Sequence, residues 1–376
     1  MRFETACIHG GYQSDSTGSV TAPIYLSSTF AHPGVGQSTG YEYARSQNPT
    51  REQLEQTMAA LEHGQDALAF SSGMAAISCL LELFKPGDHI IHTDDLYGGS
   101  IRMFKEISQK NGLQFTAVDT GDLKAVKQAI TKDTKAVYVE TPSNPTMQIT
   151  DIHALSELTR KYRLLLIVDN TFLTPYFQKP LDLGADIVIH SGTKYLSGHN
   201  DVLAGFLVTA QKEQAERLHF LHKTIGACLA AFDCWLVSRG LKTLPLRMER
   251  HTASATRIAK WLLKQPKIKK VYYPGLKSSA RYDIQDRQTT GAGGMISFEV
   301  DSEETAVHLL QAVNLICFAE SLGGTETMIT YPLLQTHADI PKEECYAKGI
   351  NEKLLRLSVG LENVNDLIAD LKQALK

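Results

Sequence analysis

The sequence contains no apolar run of the ~18 residues that a membrane-spanning helix requires. Its first residues, MRFETACIHGG, contain no hydrophobic signal core. The formal net charge of −3 over 376 residues is too small for a surface that binds nucleic acid or anionic lipid. These absences predict a protein of the cytoplasm that binds neither a membrane nor nucleic acid.

Cysteine is scarce as well. The six cysteines are scattered along the chain, with no C-x-x-C pair and no Cys/His cluster of metal-ligand spacing. We therefore expect reduced, mostly buried thiols and no metal site. The sequence also has no internal repeats. A content of 43% hydrophobic and 21% charged residues is typical of globular proteins. The chain of 376 residues is too long for one ordinary hydrophobic core and indicates a large domain and a smaller one.

Two short apolar runs, 164–168 and 187–189, have the pattern of buried strands in an α/β sheet. The first leads directly into Asp169. The second is followed by two hydroxyls and an amine: Ser191, Thr193 and Lys194. Open α/β sheets bind ligands outside the carboxyl ends of their strands, so we expect Asp169 and Lys194 to share one crevice. The alternative is that both are ordinary surface residues at strand ends.

An acid and a lysine in one crevice are the combination that pyridoxal phosphate requires. The cofactor binds its aldehyde to a lysine, and an acid keeps its ring nitrogen protonated so that the ring withdraws electrons. Lys194 and Asp169 are the candidates for these two roles.

A candidate phosphate site follows the apolar strand 67–70. Ser71, Ser72 and Gly73 separate this strand from an apolar helix, an arrangement that presents backbone N–H groups and a helix dipole to a phosphate. It is not a P-loop, because no G-K-[ST] follows the glycine. A purely steric strand-to-helix turn is the alternative.

The first 44 residues are rich in glycine and proline and show no helical period, which indicates an ordered arm that packs on a neighbouring subunit. At its end, Tyr43 and Arg45 offer a phenol and a guanidinium to one phosphate. Asn48 to Thr50 would then start a helix. A polar turn before that helix is an equally good interpretation of Tyr43 and Arg45.

Three further polar groups accompany apolar strands. Tyr97 follows one strand and could cover a flat cofactor ring, and Asn144 follows another and can donate and accept at once. Capping of the strands is the alternative for both. Arg356 lies inside an apolar run, where a charge is costly unless it is paired. It would clamp a substrate carboxylate or form an internal ion pair.

From residue 246 the chain alternates strands and helices in a second α+β unit. We therefore divide the chain into an arm (1–45), a large cofactor-binding domain (46–245) and a C-terminal domain (246–376).

Several blocks of the sequence, taken together and in order, are those of a known family: YEYARSQNPTR, SSGMAA, DDLYGGS, ETPSNPT, VDNTF, HSGTKYLSGHND, GLKTLPLRME, AESLGG and RLSVGLE. The chain resembles the Cys/Met-metabolism family of pyridoxal-phosphate enzymes, the cystathionine γ-synthase and γ-lyase group. This resemblance implies fold type I, with a large doubly wound α/β domain and a smaller C-terminal α+β domain. It also implies a homotetramer of two dimers, with active sites shared across each dimer interface.

The resemblance implies a role for each candidate. Lys194 would bind the cofactor and shuttle protons, Asp169 would pair with the ring nitrogen, and Tyr97 would stack on the ring and act as an acid or base. The phosphate would be held by Ser72, Gly73, Met74, Ser191 and Thr193, with Tyr43 and Arg45 from the adjacent subunit. The substrate would be held by Asn144, Glu320, Ser321 and Arg356.

The resemblance also implies trans-sulfuration chemistry. Glu320 before SLGG resembles the γ-synthases and γ-lyases, rather than the β-lyases with an aromatic there, and Gly99 replaces a cysteine typical of methionine γ-lyases. The stretch ETMITYPLLQTHADIP resembles synthases that accept O-acylhomoserine. We therefore expect γ-replacement of O-acylhomoserine by cysteine, with γ-elimination of cystathionine as the alternative. O-acetylhomoserine sulfhydrylation and β-elimination come after these, and a catalytically silent cofactor-binding scaffold is the alternative from another class.

Overall fold

The computed structural model describes residues 1–12 and 14–376 and contains two β-sheets. The first sheet has seven strands: β1 (Asp66–Phe70), β2 (His89–Thr93), β3 (Gln114–Val118), β4 (Thr134–Glu140), β5 (Leu165–Asp169), β6 (Ile187–Ser191) and β7 (Gly205–Thr209). The second has five: β8 (Ile268–Tyr272), β9 (Met295–Val300), β10 (Cys317–Phe318), β11 (Met328–Thr330) and β12 (Leu354–Ser358). The α/β fold class is thereby confirmed.

Helices connect these strands and cover both sheets. They are α1 (Phe3–His9), α2 (Pro49–Glu62), α3 (Gly73–Leu81), α4 (Gly98–Arg102), α5 (Leu123–Ala129), α6 (Ile152–Tyr162), α7 (Thr174–Phe177), α8 (Lys212–Ile225), α9 (Ala231–Leu241), α10 (Leu244–Leu262), α11 (Tyr282–Gln288), α12 (Glu303–Ala312), α13 (Lys342–Ala347) and α14 (Val364–Ala374). A π-helical turn, Met103–Ser108, continues α4, and a 3₁₀ turn spans Pro332–Leu334. Within the described part of the chain, no helix is both long and apolar enough to span a bilayer.

The first sheet has the order β1-β7-β6-β5-β4-β2-β3, in which β7 alone runs antiparallel to its neighbours. The parallel strands β4, β5 and β6 are adjacent, so their carboxyl ends lie side by side. They are almost entirely apolar and buried, since helices cover both faces of a parallel sheet. The sheet therefore brings the residues after β5 and β6 together, as the sequence predicted.

The second sheet has the order β10-β11-β12-β9-β8 and is antiparallel except between β10 and β11. Its central strand, β12, carries Arg356, which pairs across the sheet with Ser297 of β9. The predicted domain boundary near Pro245 falls at the start of α10 and stays a prediction.

The N-terminal segment departs from the sequence prediction at one place. Residues Phe3–His9 form helix α1, although the pattern indicated no helix in the arm. Ala6 and Cys7 are buried in a core cluster that includes Leu54 and Met58 of α2, so tertiary packing stabilises a helix too short to form alone. The helix α2 itself begins as predicted, with Asn48 capping the N–H groups of Thr50 and Arg51.

Candidate functional site

A cavity of about 370 Å³ lies at the carboxyl ends of β4, β5 and β6 and is bordered by residues of the second sheet. Twelve of the residues predicted from the sequence line it: Ser72, Gly73, Met74, Tyr97, Asn144, Asp169, Ser191, Thr193, Lys194, Glu320, Ser321 and Arg356. Only Tyr43 and Arg45 of the predicted set lie elsewhere. Topology explains the convergence, because adjacent parallel strands end at one edge of the sheet.

Lys194 follows β6 in a tight turn, in which its N–H donates to the Ser191 carbonyl at 3.2 Å. Its Nζ donates to Ser321 Oγ at 2.9 Å, which joins the two sheets across the cavity. Burial lowers the pKa of Lys194 from 10.5 to about 8, the positive charge of Arg356 acts in the same direction, and Glu320 opposes both. Near pH 7 roughly a tenth of this amine is therefore uncharged and nucleophilic, far more than for an ordinary lysine.

Asp169 is the last residue of β5. Its Oδ1 accepts hydrogen bonds from Thr171 N at 3.0 Å and Thr171 Oγ1 at 2.6 Å. Burial raises the pKa of this carboxyl, while the Thr171 bonds and the positive charge of His190 act in the opposite direction. The Tyr138 hydroxyl also interacts with this carboxyl and lowers its pKa. Both Thr171 bonds go to Oδ1, so Oδ2 is the oxygen that a protonated ring nitrogen in the cavity would contact.

Thr171 is a member of the site that the sequence reasoning missed. Besides bonding Asp169, its Oγ1 accepts the backbone N–H of Ser191 at 2.9 Å. One hydroxyl thus connects the acid after β5 to the residue that ends β6. Two sequence signals were present: Thr171 lies in the block VDNTF, and its hydroxyl follows an aspartate by two residues, a spacing typical of local turns throughout proteins.

The opposite end of the cavity is formed by the N-terminus of α3. Ser72 caps this helix by accepting from Ala75 N at 3.1 Å, and the helix begins at Gly73. A Cβ at Gly73 would lie 3.2 Å from Ser191 Cβ, so glycine allows the close approach of helix and strand. The Thr193 hydroxyl bonds the backbone of Ala204, whereas the Ser191 hydroxyl has no protein partner among the described residues. Helix N–H groups beside a free hydroxyl suit a phosphate.

Arg356 is 2% exposed and lies at the second-sheet side of the cavity. Its Nη1 donates to Asn144 Oδ1 at 2.8 Å and its Nη2 to the Ser321 carbonyl at 3.3 Å. Its Nε is buried and has no hydrogen-bond partner in the described part of the chain. In the described ranges no carboxylate lies within 4.0 Å of the guanidinium, which stands against the internal ion pair and leaves donors for a bound carboxylate.

Tyr97 precedes helix α4 and its side chain is 41% exposed at the mouth of the cavity. Its backbone N–H donates to Glu140 Oε2 at 2.9 Å. Glu140, which the sequence reasoning did not single out, ends β4 and pairs with Asp169 on β5. Burial and the neighbouring charge of Asp169 raise the pKa of Glu140. Two acids therefore end adjacent strands, and their mutual repulsion favours a proton on Glu140.

Tyr43 and Arg45 do not reach this cavity within one chain. The Arg45 guanidinium lies 5.5 Å from the centre of the Tyr43 ring and donates to the carbonyl of Lys223. Tyr43 is 48% exposed. The predicted role of both residues in the site of an adjacent subunit stays a prediction.

The cavity contains further residues to which the sequence analysis assigned no role. Besides Glu140 and Thr171, these are Ile77, Ser100, Phe172, Ile189, Leu203, Leu322 and Thr336. Most are apolar residues of strands and helices, and nothing in a sequence distinguishes an apolar cavity wall from a core position.

Known proteins are similar to this chain in both sequence and fold. A model of the family described as Cys/Met metabolism PLP-dependent enzyme matches residues 4–376. The chain belongs to this family. Its cofactor is therefore pyridoxal phosphate, it is an enzyme, and its architecture is the predicted fold type I.

Individual members of the Cys/Met-metabolism family are similar over their whole length. The cystathionine gamma-synthase/O-acetylhomoserine (thiol)-lyase of Bacillus subtilis (strain 168) is 50% identical, with 100% of this chain and 96% of that protein covered. The cystathionine beta-lyase of Lactococcus lactis subsp. cremoris (strain MG1363) is 48% identical, with 100% and 99% covered. The crystal structure of cystathionine gamma-lyase from Lactobacillus plantarum complexed with L-serine has a TM-score of 0.97, 46% identity, and 100% and 98% coverage. Three different activities thus occur at comparable similarity.

The cavity fits pyridoxal phosphate in three respects. It contains a buried amine with a lowered pKa, a carboxylate whose Oδ2 is not used by Thr171, and a helix N-terminus beside a hydroxyl, that of Ser191, without a partner among the described residues. These groups match the aldehyde, the ring nitrogen and the phosphate of the cofactor.

Proposed function

We propose that the chain catalyses γ-replacement, in which cysteine displaces the acyl group of an O-acylhomoserine to give cystathionine. The main support for this proposal is the position of Glu320, which lines the cavity next to Ser321. Its charge acts on both Lys194 and Arg356. An incoming amino acid brings an ammonium group, which a carboxylate at this place would bind, whereas inorganic sulfide brings none.

Pyridoxal phosphate, when bound, holds an amino group covalently and withdraws electrons from the adjacent Cα. In this chain the ionised Oδ2 of Asp169 would accept a hydrogen bond from the protonated ring nitrogen, and Thr171 fixes that carboxylate through two bonds to Oδ1. The N-terminus of α3 and the Ser191 hydroxyl would hold the phosphate.

Lys194 would move protons between Cα and Cβ of the substrate. The pKa of about 8 places its amine close to the ideal for a base at physiological pH. The Ser321 oxygen, 2.9 Å from Nζ, orients the amine when it is not bound to the cofactor. Tyr97, at the cavity mouth, would cover the ring and serve as a second acid or base.

Arg356 and Asn144 would bind the α-carboxylate of the substrate. The Asn144 bond fixes one edge of the guanidinium, and Nε, which has no partner among the described residues, is available to a carboxylate. A substrate whose carboxylate is bound there would be held at the second sheet and would present its amino group to the cofactor near Lys194.

Tyr43 and Arg45 would complete the phosphate site of a neighbouring subunit, in a homotetramer built from two dimers with shared sites. In support, the arm that carries them exposes apolar side chains, with Val20 at 89%, Leu26 at 77% and Val35 at 107%. Exposed apolar groups in one segment indicate a surface that another chain covers. We also propose the cytoplasm as its location.

γ-Elimination of cystathionine is the second candidate. It requires the same amine, carboxylate clamp and acid, and the solved structure of cystathionine gamma-lyase from Lactobacillus plantarum is 46% identical. O-acetylhomoserine sulfhydrylation and β-elimination rank below it, because neither reaction gives Glu320 and the other cavity residues a clearer role. Membership of an enzyme family stands against a catalytically silent scaffold.

The test compares the rate of cystathionine formation from O-acetyl- and O-succinylhomoserine plus cysteine with the rate of cystathionine cleavage. We expect formation to be faster, and Lys194→Ala to abolish both. Glu320→Gln should raise the KM for cysteine and leave that for sulfide unchanged. Substantially faster cleavage than formation would reverse the order of the two candidates.

A further inference from the structure

A buried glutamate–histidine pair lies directly behind the candidate site. Glu62, the last residue of α2, and His190 of β6 are both completely buried, and Glu62 Oε1 lies 2.6 Å from His190 Nε2. Successive side chains of a strand point to opposite faces, and Ser191 lines the cavity. His190 therefore extends to the face of the sheet away from the cavity, where none of the proposed catalytic steps uses it.

This pair is part of a network that joins the ends of three strands. Asn170 Nδ2 donates to the same Oε1 of Glu62 at 3.0 Å and to the Gln178 carbonyl at 2.8 Å. Gln178 Nε2 in turn donates to Asn170 Oδ1 and to the Thr141 carbonyl, each at 3.0 Å. Thr141 directly follows β4, Asn170 follows β5 and His190 belongs to β6. The network thus fixes the backbone next to Glu140, Asp169 and Ser191.

The network also places charge behind Asp169. Glu62 has no exposed surface and is in hydrogen-bond contact with His190 and Asn170, and of these two only His190 can carry a positive charge. The positive charge of His190 lowers the pKa of Asp169 and so opposes the effect of burial. The other groups that face Asp169 are Thr171 and Tyr138, whose hydrogen bonds act in the same direction, and Glu140 of β4. Lys179 lies near Glu62.

We propose that Glu62 is a positioning residue for the reaction: through His190 and Asn170 it fixes the strand ends that carry Asp169 and Ser191, and it holds a positive charge behind Asp169. Asp169 then stays ionised and correctly placed against the ring nitrogen of the cofactor. The inference rests on the proposed role of Asp169, and its test separates the two.

The test uses Glu62→Gln holoenzyme, which keeps the shape of the side chain and removes its charge. The measurement is the pH midpoint at which the visible absorbance of the bound cofactor changes. An ionised Asp169 keeps the ring positively charged, and this charge disfavours a second proton at the linkage to Lys194. Weakening the contact between an ionised Asp169 and the ring should raise the midpoint by about one pH unit, the smallest pKa shift typical of one neighbouring charge. The affinity for pyridoxal phosphate should fall several-fold.

The matched control is Asp370→Asn. Asp370 is another buried carboxylate, which accepts backbone N–H groups of Asn314, Leu315 and Ile316 far from the cavity. This variant should lose stability without moving the absorbance midpoint. If Glu62→Gln does not fold, His190→Asn removes the positive charge and should raise the midpoint as well.

Asp169→Asn separates the two hypotheses, because it should shift the midpoint by more than Glu62→Gln does. If Asp169→Asn shifts the midpoint and both Glu62→Gln and His190→Asn leave it unchanged, the pair is merely structural and the inference is wrong. If Asp169→Asn leaves it unchanged too, the proposed role of Asp169 fails as well.

Discussion

Replacing Arg356 by lysine tests the proposed carboxylate clamp. Lysine keeps the positive charge and most of the length of the side chain, but it lacks the planar fork that bonds a carboxylate through two nitrogens. It would also lose the 2.8 Å bond that now holds Arg356 against Asn144. We therefore expect a specific loss of affinity for ligands that carry a carboxylate.

The size of the loss follows from the bonds involved. A hydrogen bond between charged groups contributes about 1.5–3 kcal/mol, and the substitution removes one such bond to the substrate and loosens the other. A loss of about 2–3 kcal/mol corresponds to roughly 30- to 150-fold in kcat/KM, mostly through KM.

The assay uses two ligands that differ only in the carboxylate, 2-aminobutanoate and 1-aminopropane. Each is titrated into the holoenzyme, and its dissociation constant is read from the change in cofactor absorbance. Arg356→Lys should raise the dissociation constant of 2-aminobutanoate by roughly 30- to 150-fold and leave that of 1-aminopropane unchanged. Arg257→Lys, at an exposed arginine that bonds Asn365, serves as the control and should alter neither. Equal weakening of both ligands by Arg356→Lys would refute the clamp, because it would show a general distortion of the cavity.

Three other predictions concern different parts of the site. Because burial lowers the pKa of Lys194 to about 8, the rate at which the apoenzyme recombines with pyridoxal phosphate should increase with pH and level off above about 8; stopped-flow absorbance with a midpoint near the ordinary value of 10.5 would contradict this. Thr146→Val removes a hydroxyl that donates at 2.6 Å to the buried Asp95, next to the turn that carries Asn144, so steady-state kinetics should show KM raised about fivefold and kcat nearly unchanged; an unchanged KM would show that this bond does not position the turn. Finally, mixing refolded Lys194→Ala and Arg45→Ala chains should restore about a quarter of the wild-type activity, since hybrid dimers contain one intact shared site; no recovery, with hybrids confirmed by native mass spectrometry, would place Arg45 outside the neighbouring site.

The sequence by itself determined the chemistry of the site. Apolar runs that end in Asp169 and in the Ser191 to Lys194 segment define buried strands, and a parallel sheet necessarily brings such ends to one edge. Arg356 was recognisable for a similar reason, because a charge inside an apolar strand requires a partner or a function. Local pattern and the geometry of one sheet were sufficient for these residues.

Only the tertiary structure decided what supports those groups. Glu62 and His190 are 128 positions apart, and each resembles an ordinary polar residue in its own segment. The bond from Ser191 to Thr171 and the position of Glu140 beside Asp169 depend on the register of neighbouring strands. Short-range patterns carry no information about such contacts, because register and packing are fixed when the whole core forms.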